Sequence, residues 1–196
     1  MFARTERLLL RPSWPEDANE LHQAIADEGI VRNLARAPWP YTPDEAVRFA
    51  THEHDEVYPA FLLMLRTNGA PRLIGACGIG NLEGDAELGY WIARPYWGLG
   101  FATEASRAVI NIAKAIGHKR LIASHFTDNP ASGKVLRKLG FQNTWKTASR
   151  ESKGRGESME CAMYEKALDG PNSEQVRMPR SPAFTSREQM ERLQAV

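Results

Sequence analysis

The sequence predicts an α+β fold of three layers, in which helices flank a mixed, mostly antiparallel central sheet of about seven strands. Three strand-like segments joined by short turns stand before residue 94, which favours antiparallel pairing. A helical segment then separates the next two strands, so these two can run parallel. The predicted order is βααβββαβαββ. We expect one domain at residues 1–169 and a tail with one short helix at 170–196.

The first third of the chain predicts one strand and two helices. Thr5–Arg11 is an apolar run with polar ends, as in a short strand. Ser13 is the predicted cap of a helix over Pro15–Asp27, and Thr42 is the predicted cap of a second helix from Pro43 to about Glu56.

Three strands are predicted next, at Ala60–Arg66, Arg72–Leu82 and Ala86–Ala93. Turn residues at Asn68-Gly69 and Gly84-Asp85 separate them, which is typical of hairpins. Three antiparallel strands therefore lead into the segment that follows.

That segment passes from the strand through Gly98-Leu99-Gly100 into a helix that starts at Phe101 and ends at Gly117. Glycines allow a positive φ and a close approach of the backbone, so successive N–H groups can form an anion cradle suited to phosphate. The lack of a following Lys-Ser/Thr, and of a third glycine where Thr103 stands, argues against a P-loop and a dinucleotide fingerprint. A tight turn that binds nothing is the alternative.

The last part of the domain predicts a strand, a helix and two more strands. Asn129 caps the helix, and Gly140 ends it. The first strand of this set can run parallel to the strand before the glycine loop, so that their ends could splay to admit a ligand. The predicted strands are Arg120–Phe126, Phe141–Ala148 and Glu157–Leu168, with a charged hairpin at Arg150–Gly156.

Composition narrows the range of partners. The net charge of +1 over 196 residues gives no reason to expect nucleic acid or an anionic membrane. Cys77 and Cys161 are far apart, and His52 and His54 would point apart on a helix, so we expect no disulfide and no metal. Without an apolar span or signal-peptide core, we expect a cytoplasmic protein, as a monomer or homodimer.

The stretch from Pro95 to Ala105 (PYWGLGFATEA) resembles the acetyl-CoA pyrophosphate loop of the GCN5-related N-acetyltransferases (GNAT), in their RimJ/RimL-type branch. Pro95 occupies the position of the usual Gln/Arg, and Arg94 lies one residue earlier. The order of elements along Thr5–Leu168 and the sequence Lys138-Leu139-Gly140-Phe141 also match this family.

The resemblance implies that acetyl-CoA is the co-substrate and that an acetyl group passes directly to a primary amine. It also implies which residues contact acetyl-CoA. These are Trp91, Ile92, Ala93, Trp97, Gly98, Leu99, Gly100, Phe101, Ala102, Thr103, Asn129 and Ser132.

Two catalytic candidates follow. Glu87 matches a position where several family members hold a catalytic glutamate; a solvated carboxylate at the strand edge is the alternative. In many relatives a tyrosine donates a proton to the leaving thiolate, and this chain has Leu136 at that position. Ser132 is therefore the candidate proton donor; a plain serine at a helix N-terminus is the alternative.

The acceptor is less defined by the sequence. Trp39 and Tyr41 could form a wall of the acceptor slot or pack over the edge of the core, and His125 is a further candidate for substrate binding or as a base. An α-amine is easier to deprotonate than lysine, which favours a protein or peptide N-terminus. Small amines, such as aminoglycosides or polyamines, and a non-catalytic acetyl-CoA sensor remain alternatives, as does an unrelated nucleotide binder.

Overall fold

A computed structural model describes residues 1–168, so the tail predicted at 170–196 lies outside the described residues. The α-helices are α1 (Ala18–Ile25), α2 (Glu28–Val31), α3 (Pro43–Ala50), α4 (Phe101–Ala115) and α5 (Pro130–Lys138). The strands are β1 (Ala3–Arg4), β2 (Leu8–Arg11), β3 (Ala60–Leu65), β4 (Arg72–Leu82), β5 (Asp85–Ile92), β6 (Arg120–Phe126), β7 (Gln142–Ser152) and β8 (Glu157–Ala167).

The strands form one sheet in the order β1-β2-β3-β4-β5-β6-β8-β7. The mixed, mostly antiparallel sheet with flanking helices confirms the predicted fold class, with eight strands in place of seven. β5 and β6 run parallel and share the register pair Glu87↔Ile122. In the described residues this is the one register pair between β5 and β6, so no further pairing joins their carboxyl ends, as the predicted splay requires.

Helices cover both faces of the sheet because successive side chains of a strand point to opposite sides. On the α4 face, Leu88 and Ile92 of β5 join a core with Phe101 and Val109 of α4. On the α1 face, Trp91 packs against a second core that contains Leu21, Leu62 and Tyr41. The side chains of β5 therefore reach two different environments.

The first predicted strand and first predicted cap both needed correction. The predicted strand begins at Leu8 instead of Thr5, and a further short strand precedes it at Ala3–Arg4. Between them the Thr5 hydroxyl and the Arg7 backbone N–H bind the Glu104 carboxylate of α4. Ser13 does not cap a helix: its hydroxyl points to the Phe49 carbonyl at 3.5 Å. A short 3-10 turn at residues 15–17 precedes α1.

The cap position belongs to Trp14 rather than Ser13, and Asp17 of the same turn binds back to it. Its carboxylate accepts a hydrogen bond of 2.7 Å from the Trp14 backbone N–H and two from the guanidinium of Arg11. Both charged side chains are about nine-tenths buried, at 9% and 10% exposure. This pair ties β2 to the start of α1.

The predicted ends of two other elements differ less from the structure. Thr42 caps α3 by accepting from the Glu45 backbone N–H at 3.3 Å, as predicted, but α3 ends at Ala50 rather than near residue 56. β7 extends to Ser152, whereas a hairpin was predicted from residue 150 onwards, since Arg150 pairs in register with Met159 of β8.

Cys77 and Cys161 are free and buried. Among residues 1–168, no helix is long and apolar enough to cross a membrane. Within the same range, no group of three or more His, Cys, Asp or Glu side chains is arranged to hold a metal ion.

Candidate active site

The glycine loop adopts the backbone conformation that an anion cradle requires. Gly98 has φ +77° and Gly100 has φ +83°, both in the left-handed region that favours glycine. Gly100 is the N-cap residue of α4, and no side chain in the described part of the chain caps this helix end. The N–H groups of the first turn are therefore free to bind a phosphate, at the positive end of the helix dipole.

The loop is held from both sides. The Trp97 indole N–H donates to the Ile92 carbonyl at 2.6 Å, and the Arg7 guanidinium donates to the Leu99 carbonyl at 3.0 Å. Arg7 also pairs with Glu104 and lies 4.2 Å from the centre of the Phe101 ring. The loop is thus fixed before any ligand binds.

Glu104 stays charged in the first turn of α4. Burial acts to raise the pKa of its carboxyl group, but hydrogen bonds from Thr5 and Arg7 outweigh burial and lower it. Arg94 binds Asp27, with Nε to Oδ2 at 2.6 Å, and its guanidinium lies 4.9 Å from the centre of the Trp97 ring. The Arg94 side chain is thus occupied by Asp27 and Trp97 beside the loop.

A cavity of about 1130 Å³ joins the glycine loop to the gap between β5 and β6. Most of the predicted site residues line it, but Ala93, Leu99 and Trp39 are not among its lining residues. The predicted residues that line it are Tyr41, Glu87, Trp91, Ile92, Trp97, Gly98, Gly100, Phe101, Ala102, Thr103, His125, Asn129 and Ser132.

Ser132 lies in the first turn of α5 and contacts a tyrosine of β5. The Tyr90 and Ser132 hydroxyl oxygens are 2.8 Å apart, and either can be the donor. Asn129 caps α5 by accepting from the Ser132 backbone N–H at 3.4 Å, as predicted. Burial raises the pKa of Tyr90 to about 12, so its hydroxyl remains protonated at neutral pH.

Glu87 lies on the α1 side of β5 and is paired with an arginine. Arg150 Nη1 is 2.5 Å from Oε1 of Glu87, and Nη2 is 3.1 Å from Oε2. The Ser124 hydroxyl of β6 donates to the same Oε1 at 3.1 Å. With only 15% of its side chain exposed, Glu87 is not a solvated carboxylate at a strand edge.

A comparison with protein families identifies the domain. The acetyltransferase (GNAT) domain model matches residues 7–142, more than half of the chain. The chain belongs to the GNAT family of acetyltransferases.

Relatives and solved structures agree with this assignment. The uncharacterized N-acetyltransferase p20 of Bacillus licheniformis is 28% identical over 167 residues, which cover 82% of this chain and 92% of p20. A GNAT-family acetyltransferase from Bacillus anthracis has a similar fold, with a TM-score of 0.73 at 21% identity over 87% of this chain and all of that chain. The ribosomal L7/L12 α-N-protein acetyltransferase RimL, solved with coenzyme A, gives 0.72 at 19% identity over 86% of this chain and 99% of that chain.

Three of the residues predicted to bind the acceptor of this GNAT domain lie in three different environments. Tyr41 is buried at 6% exposure and lies in the α1-side core, although its surface also lines the cavity. Trp39 is 40% exposed and outside the cavity lining. His125 does not join Glu87, because its ring packs against Gly133 of α5 and Tyr164 of β8.

The sequence reasoning missed three residues of this site. Tyr90 could have been found, since alternation along β5 places it on the face opposite Glu87, towards the α5 end. Ser124 could have been found in the same way from the parallel pairing of β5 and β6. Arg150 carried no signal, because its contact with Glu87 spans 63 residues and depends on the path of the β7–β8 hairpin.

Proposed function

We propose that this protein transfers an acetyl group from acetyl-CoA directly to a primary amine, and that the preferred acceptor is the α-amine of a protein or peptide N-terminus, as in the RimJ/RimL-type branch. One observation carries the proposal: a single cavity contains an uncapped helix end with positive-φ glycines, the gap between β5 and β6, and a buried carboxylate at Glu87. A phosphate site, a slot for an extended arm and a base are thus in one space.

The residues present fit acetyl-CoA. Its pyrophosphate would accept hydrogen bonds from the backbone N–H groups between Gly98 and Thr103, where a Cβ at residues 98 and 100 would be strained. The extended arm would follow the free edge of β5 towards Asn129. Bound there, acetyl-CoA supplies the acetyl group as a thioester. A solved neighbour of similar fold, RimL, is a complex with coenzyme A.

The acceptor preference follows from the free energy of deprotonation. A lysine with pKa about 10.4 costs about 4 kcal/mol to deprotonate at pH 7.5, whereas an α-amine near 7.7–8.0 costs under about 1 kcal/mol. One carboxylate acting through a water molecule is enough for the second task, and Glu87 is a largely buried carboxylate that lines the cavity.

In the proposed reaction, the neutral amine nitrogen attacks the thioester carbon, an N–C bond forms and the C–S bond breaks. The proton lost by the nitrogen passes through water to Glu87 and then to solvent. The thiolate keeps the electron pair of the broken bond and accepts a hydrogen bond from Ser132 when Tyr90 is the donor to Ser132.

Proton affinities decide between full protonation and hydrogen bonding at the sulfur. A thiol has a pKa of about 8.5, well below the value of about 12 for Tyr90. Neither Tyr90 nor a serine hydroxyl therefore gives up its proton to the thiolate. We accordingly assign Ser132 as a hydrogen-bond donor that stabilises the thiolate, rather than as an acid that protonates it.

The amine class is tested by acetyl-CoA consumption with matched acceptors. We would compare a peptide with a free α-amine, the same peptide with a blocked N-terminus and one lysine, a polyamine and an aminoglycoside, at pH 7.5. The proposal expects the fastest rate with the free α-amine. Faster rates with a small amine would favour that class, and acetyl-CoA binding without turnover of any amine would indicate a sensor.

A further inference from the structure

The ion pair between Glu87 and Arg150 is built from side chains of three strands. Glu87 belongs to β5, Ser124 to β6 and Arg150 to β7. Arg150 Nη1 also donates to the Ser124 hydroxyl at 2.5 Å, so the serine bridges both charged groups. Both charged side chains are about 85% buried, and both line the cavity rather than a dry core.

The hairpin that carries Arg150 is anchored independently of Glu87. The Lys153 backbone N–H donates to the Ala35 carbonyl at 3.0 Å. The Arg155 guanidinium binds both carboxylate oxygens of Asp128, at 2.8 and 2.9 Å. These contacts hold the hairpin over the α1 face, so the Glu87 contact is not needed to keep Arg150 in place.

A carboxylate alone in an amine site has a chemical disadvantage. It stabilises the ammonium form of the acceptor, which has no lone pair and cannot attack a thioester. A guanidinium at the same carboxylate balances this charge, and it also disfavours a second positive charge nearby. Burial acts to lower the pKa of Arg150, but hydrogen bonds and charge from Glu87 raise it, so the guanidinium stays charged.

We propose that Arg150 is a positioning residue of the acceptor site: its bidentate contact fixes the Glu87 carboxylate, and its charge keeps the bound acceptor amine in the neutral form. This inference rests on the proposed function, since it assigns Arg150 a role in that same amine site. The acceptor that this arrangement favours is an amine that is neutral when bound, because the Glu87–Arg150 pair puts no net negative charge beside it.

Other charged or titratable groups surround the pair and must be held constant. Near Glu87 or Arg150 these are Cys161 of β8, Glu83 of the β4–β5 turn, and Arg36, which lies within 3.7 Å of a Cβ built on Gly80, the register partner of Glu87. The charged or titratable residues of α3 and of the segment after it also line the cavity; these are Glu45, Arg48, His52, Glu53, His54 and Asp55. All remain present when Arg150 alone is changed.

The test is the pH dependence of kcat and of kcat/KM for Arg150→Gln, with a peptide α-amine as acceptor. The acid limb of kcat reports groups in the enzyme–substrate complex, so it should move upwards by about one to two pH units when the guanidinium is lost. The acid limb of kcat/KM, which is set by the pKa of the free amine, should stay in place. KM near pH 7 should fall.

Two further variants separate charge from structure. Arg150→Lys keeps the charge, so its kcat limb should match the wild type even if its rate is lower at every pH. Arg120→Gln removes another guanidinium that is paired with a carboxylate of β5, Asp85, outside the cavity lining, and its kcat limb should also stay in place. An unmoved limb in Arg150→Gln, or an equal movement in Arg120→Gln, would overturn the inference. Absence of wild-type turnover with any amine would instead refute the proposed function.

Discussion

Ser132→Ala tests the role of the hydroxyl at the end of α5. If Ser132 donates a hydrogen bond to the leaving thiolate, the variant loses a bond to a charged group, worth about 1.5–3 kcal/mol. Because 1.36 kcal/mol is tenfold in rate, kcat should fall by about 10- to 150-fold. The affinity for acetyl-CoA should stay close to that of the wild type, since the thioester sulfur of the ground state is uncharged.

Tyr90→Phe completes the experiment, because the hydroxyls of Tyr90 and Ser132 are 2.8 Å apart. Losing a neutral hydrogen bond, worth about 0.5–1.5 kcal/mol, should lower kcat by about 2- to 13-fold. If Tyr90 acts only by orienting Ser132, the same change in the Ser132→Ala background should have no further effect on kcat.

The assay is kcat from thiol release at saturating substrates, with calorimetric affinity for acetyl-CoA and urea unfolding of each variant. Thr67→Ala is the control, because it removes a hydrogen-bonded hydroxyl from the β3–β4 turn, outside the cavity lining, and should leave kcat unchanged. A normal kcat in Ser132→Ala would show that this serine has no catalytic role and is a plain residue of the helix N-terminus. Equal losses from Tyr90→Phe in both backgrounds would refute the relay through Ser132.

Two further predictions concern charged groups. Glu87→Gln keeps the volume and removes the basicity, so its deficit in kcat/KM should be large near pH 7 and shrink towards pH 9; a deficit that is the same at every pH would make Glu87 a positioning residue. Asp17→Asn should lower the free energy of unfolding in urea at pH 7 by about 3 kcal/mol, since it leaves the charge of Arg11 buried without an opposite charge beside it. Although burial acts to raise the pKa of Asp17, the Arg11 contacts lower it overall, so this stabilisation is present above about pH 4 and lost as pH falls further; equal stability of both proteins at pH 7 would contradict it.

Features fixed by local chemistry could be predicted from the sequence. Gly98 and Gly100 adopt the positive φ values that a strand-to-helix cradle requires, and α4 begins directly after them. Asn129 caps α5, as the Asn-Pro pair indicates. In each case the residues that determine the structure are neighbours in the chain.

Features that depend on distant partners could not be predicted. The hydroxyl contact of Tyr90 with Ser132 joins residues 42 positions apart. The path of β7 beyond residue 150 is set by pairing with β8 and by contacts of the hairpin with the segment before α3, neither of which leaves a periodic pattern. His125 was a candidate base because of its residue type and its place on β6, but alternation turns its ring to the face of the sheet opposite Glu87.

The central claim is that the loop from Gly98 to Gly100 holds acetyl-CoA, and calorimetric titration of acetyl-CoA tests it most directly. Gly98→Val and Gly100→Val put a branched side chain where φ is +77° and +83°, at a strain of at least about 1–2 kcal/mol each. Gly117→Val is the matched control, with φ +102° at the opposite end of α4 and no heavy atom within 4 Å of its built Cβ. We predict that the first two variants stay folded but give no binding heat, while the control binds as the wild type does. Unchanged affinity in Gly98→Val and Gly100→Val would contradict the claim.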